Sequence, residues 1–258
     1  MGARPAVLVI AGSDSSGGAG LVRDFQALAA FGVEALCALT AVTAQTQARV
    51  VSVHHVPPQI VRAQIHCALE ARTIAAIKIG MLGTRETVNA VADCLARGPS
   101  LPVVLDPVLL SSSGGVLLDE AGREAMRARL FPLTTVLTPN IPEAAGLCGV
   151  GHAGGAAADP SPEALLAQAR ALRALGARAV LLKGGHAQGP ESTDLLLTEE
   201  GEPKWLAAPR LAARCRGTGC ALSSAIAARL AGGSSVEAAC RGAKRYVHSL
   251  ITQDPRAR

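Results

Sequence analysis

The strongest chemical signal in the chain is Gly217-Thr218-Gly219-Cys220. Two glycines bracket a threonine, a cysteine follows, and residues 221–228 are helix formers broken only by two serines. This reads as a flexible loop that opens directly into a helix. The first N–H groups of a helix have no internal partners, and the helix dipole places partial positive charge there. Glycines let a bulky anion approach that backbone, so the site suits a phosphate. A cysteine in the first turn feels the same field, which tends to lower a thiol's pKa. A random cysteine is best read as a small core residue. The place of Cys220 between Gly219 and a helix start points instead to the site.

Four other polar clusters fall just after apolar, β-prone runs. The run 6–10 ends in Ala11-Gly12-Ser13-Asp14-Ser15-Ser16-Gly17-Gly18-Ala19-Gly20. This loop lacks the G-x-G-x-x-G of dinucleotide sites and the Gly-Lys-Ser/Thr of a P-loop. Its length and glycine content favour a ligand-binding edge over a plain connector. Asp106-Pro107 follows residues 103–105. Asn140-x-x-Glu143 follows residues 135–137. Taken alone, that pair reads first as a capping box; the functional alternative is a carboxylate that orients Mg²⁺ near nucleotide phosphates, directly or through water. Lys183 precedes Gly184-Gly185. It is either a lysine that snorkels from a strand end or a phosphate contact helped by the glycine N–H groups.

The elements that must position these clusters alternate along the chain. Strands are expected at 6–10, 35–42, 75–81, 103–105, 135–137 and 179–182. Helices are expected at 21–31, 57–70, 84–96, 119–130, 161–175, 219–230 and 235–251. Residues 194–198 and 204–207 flank Glu199-Glu200-Gly201 and read as a hairpin. Alternation of this kind implies an α/β fold with a mostly parallel sheet covered on both faces. In such a sheet all four strand-end clusters gather on one edge, where the 217–220 loop can join them. No linker divides the chain, so one unit over residues 1–258 is expected; the Gly/Ala-rich stretch 149–159 reads as a surface loop.

Composition narrows the partners. Of 258 residues, 49% are hydrophobic and 17% charged, enough for a sizeable core and too apolar for wholesale disorder. Aromatics are only 2%, which leaves little for nucleic-acid binding by base stacking. The net charge of +5 fits an anionic small substrate and is also ordinary for a soluble protein. Seven scattered cysteines with no C-x-x-C form neither a disulfide framework nor a zinc site. The histidines, His54-His55 included, show no metal-ligand spacing. With no signal segment and no membrane span, a soluble cytoplasmic protein is expected.

Together the motifs resemble the hydroxymethylpyrimidine/phosphomethylpyrimidine kinases of thiamine biosynthesis, in the ribokinase-like superfamily. The resemblance rests on Ala11 to Gly20, Asp24, Thr40-Ala41-Val42-Thr43-Ala44-Gln45, Lys78-Ile79-Gly80-Met81-Leu82, Leu105-Asp106-Pro107-Val108, Thr138-Pro139-Asn140, Pro142-Glu143-Ala144, Lys183-Gly184-Gly185-His186 and Gly217-Thr218-Gly219-Cys220. It implies a three-layer α/β/α fold and phosphoryl transfer from ATP, with Mg²⁺, to 4-amino-5-hydroxymethyl-2-methylpyrimidine and then to its monophosphate. It further implies that Asp24 and Gln45 hydrogen-bond the aminopyrimidine and that Gly12, Thr43, Met81 and Val108 line its pocket. Cys220 would face the substrate hydroxyl, and Gly217, Thr218 and Gly219 would form the anion hole. Asp106, Asn140 and Glu143 would serve the nucleotide, with Mg²⁺ at Glu143 and Lys183 on phosphate. A homodimer is compatible with the resemblance, and a pyridoxal kinase or a non-catalytic pyrimidine-binding regulator are the competing readings. Departures from the family pattern are Arg216 in place of the common histidine, Thr46-Gln47 after Gln45, and Ser111-Ser112-Ser113 where many members carry a lysine.

Overall fold

The computed structural model describes residues 4–111, 114–149, 161–186, 189–212 and 215–253. The departures at Ser112 and Ser113, and all but Gly149 of the surface loop expected over 149–159, lie outside them. An eight-stranded sheet forms the middle layer, built from β1 (Ala6–Ala11), β2 (Glu34–Leu39), β5 (Ile74–Ile79), β6 (Val103–Leu105), β7 (Val136–Leu137), β8 (Ala179–Leu182), β9 (Glu191–Leu197) and β10 (Pro203–Pro209). The strand order is β10-β9-β8-β7-β6-β5-β1-β2. From β2 to β8 every pairing is parallel, and β9 and β10 close one side antiparallel. The expected hairpin is the β9–β10 pair, extended away from the turn to Glu191 and Pro209.

Strand alternation sorts the apolar residues into two cores. In β1, Ala6, Leu8 and Ile10 face one core and Val7, Val9 and Ala11 the other. The first core is covered by α2 (Pro58–Ala71), α3 (Arg85–Arg97), α4 (Glu120–Ala125), α5 (Ile141–Leu147) and α6 (Pro162–Ala174). The second is covered by α1 (Gly20–Ala30), α7 (Thr218–Ala231) and α8 (Val236–Gln253). The helix starts are coded locally. Thr84 accepts from the N–H of Thr87, Asp119 from that of Gly122, and Ser161 from that of Ala164.

Two expectations are corrected. The strand read over 35–42 is two strands. Thr40 ends β2, with its hydroxyl donating to the Met81 carbonyl at 2.6 Å, and β3 (Ala41–Gln45) leaves the main sheet. There it pairs antiparallel with β4 (Val50–His55), a strand the sequence reading did not find. The helix expected over 119–130 is α4 followed by a π-helical turn at Met126–Leu130.

Candidate active site

Parallel pairing brings the loops after β1, β5, β6, β7 and β8 to one edge of the sheet. The start of α7 packs among them. Gly217 holds φ +71°, and a side chain there would collide with the Gly18 carbonyl, so only glycine makes this turn without strain. The first helical bond is Ala221 N–H to Gly217 carbonyl, 2.9 Å. The N–H groups of Thr218, Gly219 and Cys220 precede it, as at any helix start. A Cβ on Gly219 would lie 3.2 Å from Lys183 Nζ and 3.5 Å from Asp106 Oδ2. The anion loop therefore sits directly against the lysine.

Lys183 follows β8, its N–H donating to the Pro139 carbonyl at 2.8 Å. Its ammonium donates to Asp106 Oδ1 at 2.8 Å and lies 3.8 Å from Glu143 Oε2. Asp106 is also approached by the hydroxyls of Thr138 at 3.3 Å and Ser223 at 3.5 Å. Burial works against the charge on Lys183, but Asp106 and Glu143 outweigh it and hold the ammonium above its ordinary pKa. Asn140 and Glu143 make a complete capping box: Glu143 N–H donates to Asn140 Oδ1 at 2.8 Å, and Asn140 N–H to Glu143 Oε2 at 2.7 Å. The cap does not exclude the functional reading, because Glu143 also faces Lys183. Burial pushes the Glu143 carboxyl up to about 7, against the pull of Lys183.

Cys220 departs from the field argument. Burial pushes its thiol up to about 11, although the Lys78 ammonium and the Gly20 N–H both favour the thiolate. The helix start brings Cys220 to the site without making it a thiolate at neutral pH. Desolvation and the nearby Asp24 and Asp106 carboxylates outweigh the two favourable contacts.

The residues expected at the pyrimidine divide. Gly12 lies against Met81 and Ala41, with a Cβ there 3.0 Å from Met81 Sδ. The Thr43 hydroxyl donates to the Ser13 carbonyl at 2.7 Å. Gln45 exchanges two main-chain bonds with Ser15 Oγ, 2.9 and 2.8 Å, which fix its backbone. Leu21 N–H donates to the Gly12 carbonyl at 3.1 Å, so this group adjoins Gly20 and Cys220. Val108 stands on the neighbouring loop, two residues beyond Asp106.

Asp24 is committed to other contacts in this structure. It is completely buried, both its oxygens accept from Lys78 Nζ at 2.8 and 2.9 Å, and Oδ1 also accepts from Ser224 Oγ at 2.8 Å. It ties α1 to β5 and α7. Sequence reading did not single out Lys78, Ser223 or Ser224 individually. A lysine at an inward-facing position of a strand read as buried was the available signal for Lys78; the serines sit unmarked in a helical run.

A groove of about 1000 Å³ lies apart from these residues, with Leu118, Leu147 and Leu175 among its lining. It holds none of the residues described above.

A glycine loop at a helix start with a lysine against it, on a three-layer α/β fold, is the arrangement of a small-molecule phosphotransferase. Residues 14–258 match the sequence model of the family described as phosphomethylpyrimidine kinase. A hydroxymethylpyrimidine/phosphomethylpyrimidine kinase of Streptomyces coelicolor is 44% identical over 249 residues, covering 96% of this chain and 89% of that one. A crystal structure of phosphomethylpyrimidine kinase from Clostridium difficile superposes with a TM-score of 0.81 at 33% identity, covering 96% of this chain and all of that one. Pyridoxal kinase from Staphylococcus aureus, solved with AMP-PCP and pyridoxal, gives a TM-score of 0.87 at 31% identity, covering 98% and 89%. The chain belongs to the phosphomethylpyrimidine kinase family, and its fold is ribokinase-like.

Proposed function

We propose that the chain transfers the γ-phosphoryl group of ATP to the hydroxymethyl oxygen of 4-amino-5-hydroxymethyl-2-methylpyrimidine, and a second phosphoryl group to the resulting monophosphate, for thiamine biosynthesis. The observation that carries this reading is the contact of Gly219 with Lys183 and Asp106 beside the Gly12–Thr43–Met81–Gln45 group. In each turnover the acceptor oxygen bonds to the γ-phosphorus, ADP leaves, and the acceptor gives up a proton. Such a transfer depends mostly on positioning and on neutralising the oxygens of the moving group. The N–H groups of Thr218, Gly219 and Cys220 and the Lys183 ammonium supply that neutralisation. Asp106 fixes the lysine. The Gln45 amide, both donor and acceptor, suits an aminopyrimidine edge. Cys220 holds the hydroxyl in place as a thiol, since its proton is retained at neutral pH.

Mg²⁺ fits this site. Among the described residues no three His, Cys, Asp or Glu side chains could hold a metal by themselves. A cation shared between one carboxylate and substrate phosphates needs no such cluster, and Glu143 is the carboxylate placed for it. The cation would supply further neutralisation of phosphate charge.

All seven cysteines are free thiols, and among the described residues no helix is long and apolar enough to cross a membrane; both support placement in a reducing cytoplasm. A homodimer is compatible with the resemblance, and light scattering reads the assembly. The test of function is ADP release and ³¹P detection of product with the pyrimidine, its monophosphate and pyridoxal as separate acceptors. Turnover of the first two supports the reading. Turnover of pyridoxal alone replaces it, and tight pyrimidine binding with no transfer would mean a regulator.

A further inference from the structure

Arg216 stands just before the anion loop, yet its side chain reaches two distant parts of the chain. One guanidinium nitrogen donates to the Thr46 carbonyl at 2.9 Å and lies 3.5 Å from Ser16 Oγ. Another lies 3.7 Å from Asp14 Oδ2. Thr46 adjoins Gln45, and Asp14 and Ser16 flank Ser15, whose hydroxyl holds the Gln45 backbone. A continuous set of contacts therefore runs from Gly217 through Arg216 to Gln45. It joins the loop that would hold the transferred phosphoryl group to the hairpin that would hold the acceptor.

The Asp14–Arg216 pair is also unfinished. Asp14 is buried, and its Oδ1 takes the N–H and hydroxyl of Ser16 at 2.8 and 2.7 Å. Its Oδ2 has no hydrogen-bond partner, and neither has the buried Nε of Arg216. The 3.7 Å separation exceeds an ordinary charge-assisted hydrogen bond by about 0.8 Å. A buried carboxylate oxygen without a donor, with a guanidinium nitrogen held just beyond bonding distance, gains most when the contact is completed. A small inward movement of the 14–20 loop or of the hairpin completes it.

We propose that Arg216 is a positioning residue that couples occupancy of the acceptor pocket to the geometry of the Gly217–Cys220 loop. The proposal rests on the kinase reading above. An acceptor that draws the Gln45 hairpin inward shortens the Arg216 contacts, and these hold the anion loop in the arrangement that receives the phosphoryl group. Arg216 need not touch either substrate. A guanidinium is required because its several fixed donors can serve Thr46 and Asp14 at once, where an ammonium offers only one point of attachment.

The experiment measures the Kd of AMP-PCP by calorimetry with and without saturating acceptor, together with steady-state kinetics, in the wild type, Arg216→Gln, Arg216→Lys and Asp14→Asn. Wild type is expected to bind AMP-PCP at least about five-fold more tightly when acceptor is present. In Arg216→Gln that ratio falls to near one, the acceptor KM rises and kcat drops, each by roughly ten-fold. The Kd of AMP-PCP alone stays within about two-fold, since the helix start and Lys183 are untouched. Arg216→Lys recovers part of the ratio. Asp14→Asn reduces it without altering the 216 segment, and it decides the matter if Arg216→Gln does not fold. A wild-type ratio in the folded variants overturns the proposal, as does a wild type with no coupling. If the wild type phosphorylates pyridoxal and not the pyrimidine, the proposed function fails, and the same ratio taken with pyridoxal still decides the role of Arg216.

Discussion

Two lysines at the carboxyl ends of parallel strands have opposite surroundings. Lys78, in β5, is completely buried, and so is its partner Asp24. Lys183, after β8, keeps 14% of its side chain exposed beside Asp106 and Glu143. Lys78 is spent on a bidentate pair with Asp24, whose Oδ1 also takes the Ser224 hydroxyl. Burial opposes its charge, yet Asp24 holds the ammonium above its ordinary pKa. Burial likewise pushes Asp24 up while Lys78 pulls it down; the close bidentate contact favours the ionised pair. Lys183 has two carboxylates near it and an open side against the α7 start. The same residue type thus joins three elements at one place and, in the proposed function, presents charge to phosphate at the other. What separates the two is whether the neighbours leave part of the side chain exposed.

The largest effect that can break this comparison is on Lys78. Replacing one member of a buried pair strands the other, at a cost of about 3–5 kcal/mol. Lys78→Met is expected to lower the urea midpoint accordingly, and adding Asp24→Asn should return much of the loss. Loss of turnover at unchanged stability would place Lys78 in the chemistry instead. Next comes Cys220→Ser, which should cut kcat by roughly ten-fold and shift the pyrimidine KM little. A wild-type kcat would remove the thiol from the reaction. With a thiol pKa of about 11, the wild-type rate should show no thiolate-dependent rise between pH 6 and 8.

The smallest effect sharpens the Lys183 side. Glu143 titrates near 7 when folded and near the ordinary glutamate value when unfolded. Its folded form binds a proton more readily, so its contribution to stability is full at low pH and is lost as pH rises through about 7. Glu143→Gln should therefore raise Tm at pH 8 by roughly 2–4 °C and leave it nearly unchanged at pH 4, while impairing turnover. Equal shifts at both pH values would mean that Glu143 carries no burial cost.

Much of this was legible in the sequence because it is local. The unbroken apolar run over residues 6–10 predicts a strand buried on both faces, and β1 feeds both cores. Asn140 and Glu143 predict a capping box, which forms. Glycine at 217 and 219 predicts a close-approach loop. What could not be read depends on partners far apart in the chain. The contacts of Asp24 with Lys78 and Ser224 cross 54 and 200 residues. The thiol field argument counted the helix start and missed desolvation. The β4 strand escaped because its hairpin lies off the main sheet and is largely exposed, Val51 at 60%, so no core imposes a pattern on it. Arg216 stood out as unusual, but its contacts to Thr46 and Ser16 cross 170 and 200 residues.

The most direct measurement is single-turnover phosphoryl transfer from ATP to the pyrimidine by Lys183→Met, with both substrates saturating and the folded fraction matched to wild type. Transfer is predicted to slow by about 10²–10³-fold, the usual cost of removing one preorganised contact to a developing charge, with a smaller loss of stability than in Lys78→Met. A wild-type transfer rate would contradict the assignment of this sheet edge as the phosphoryl-transfer site.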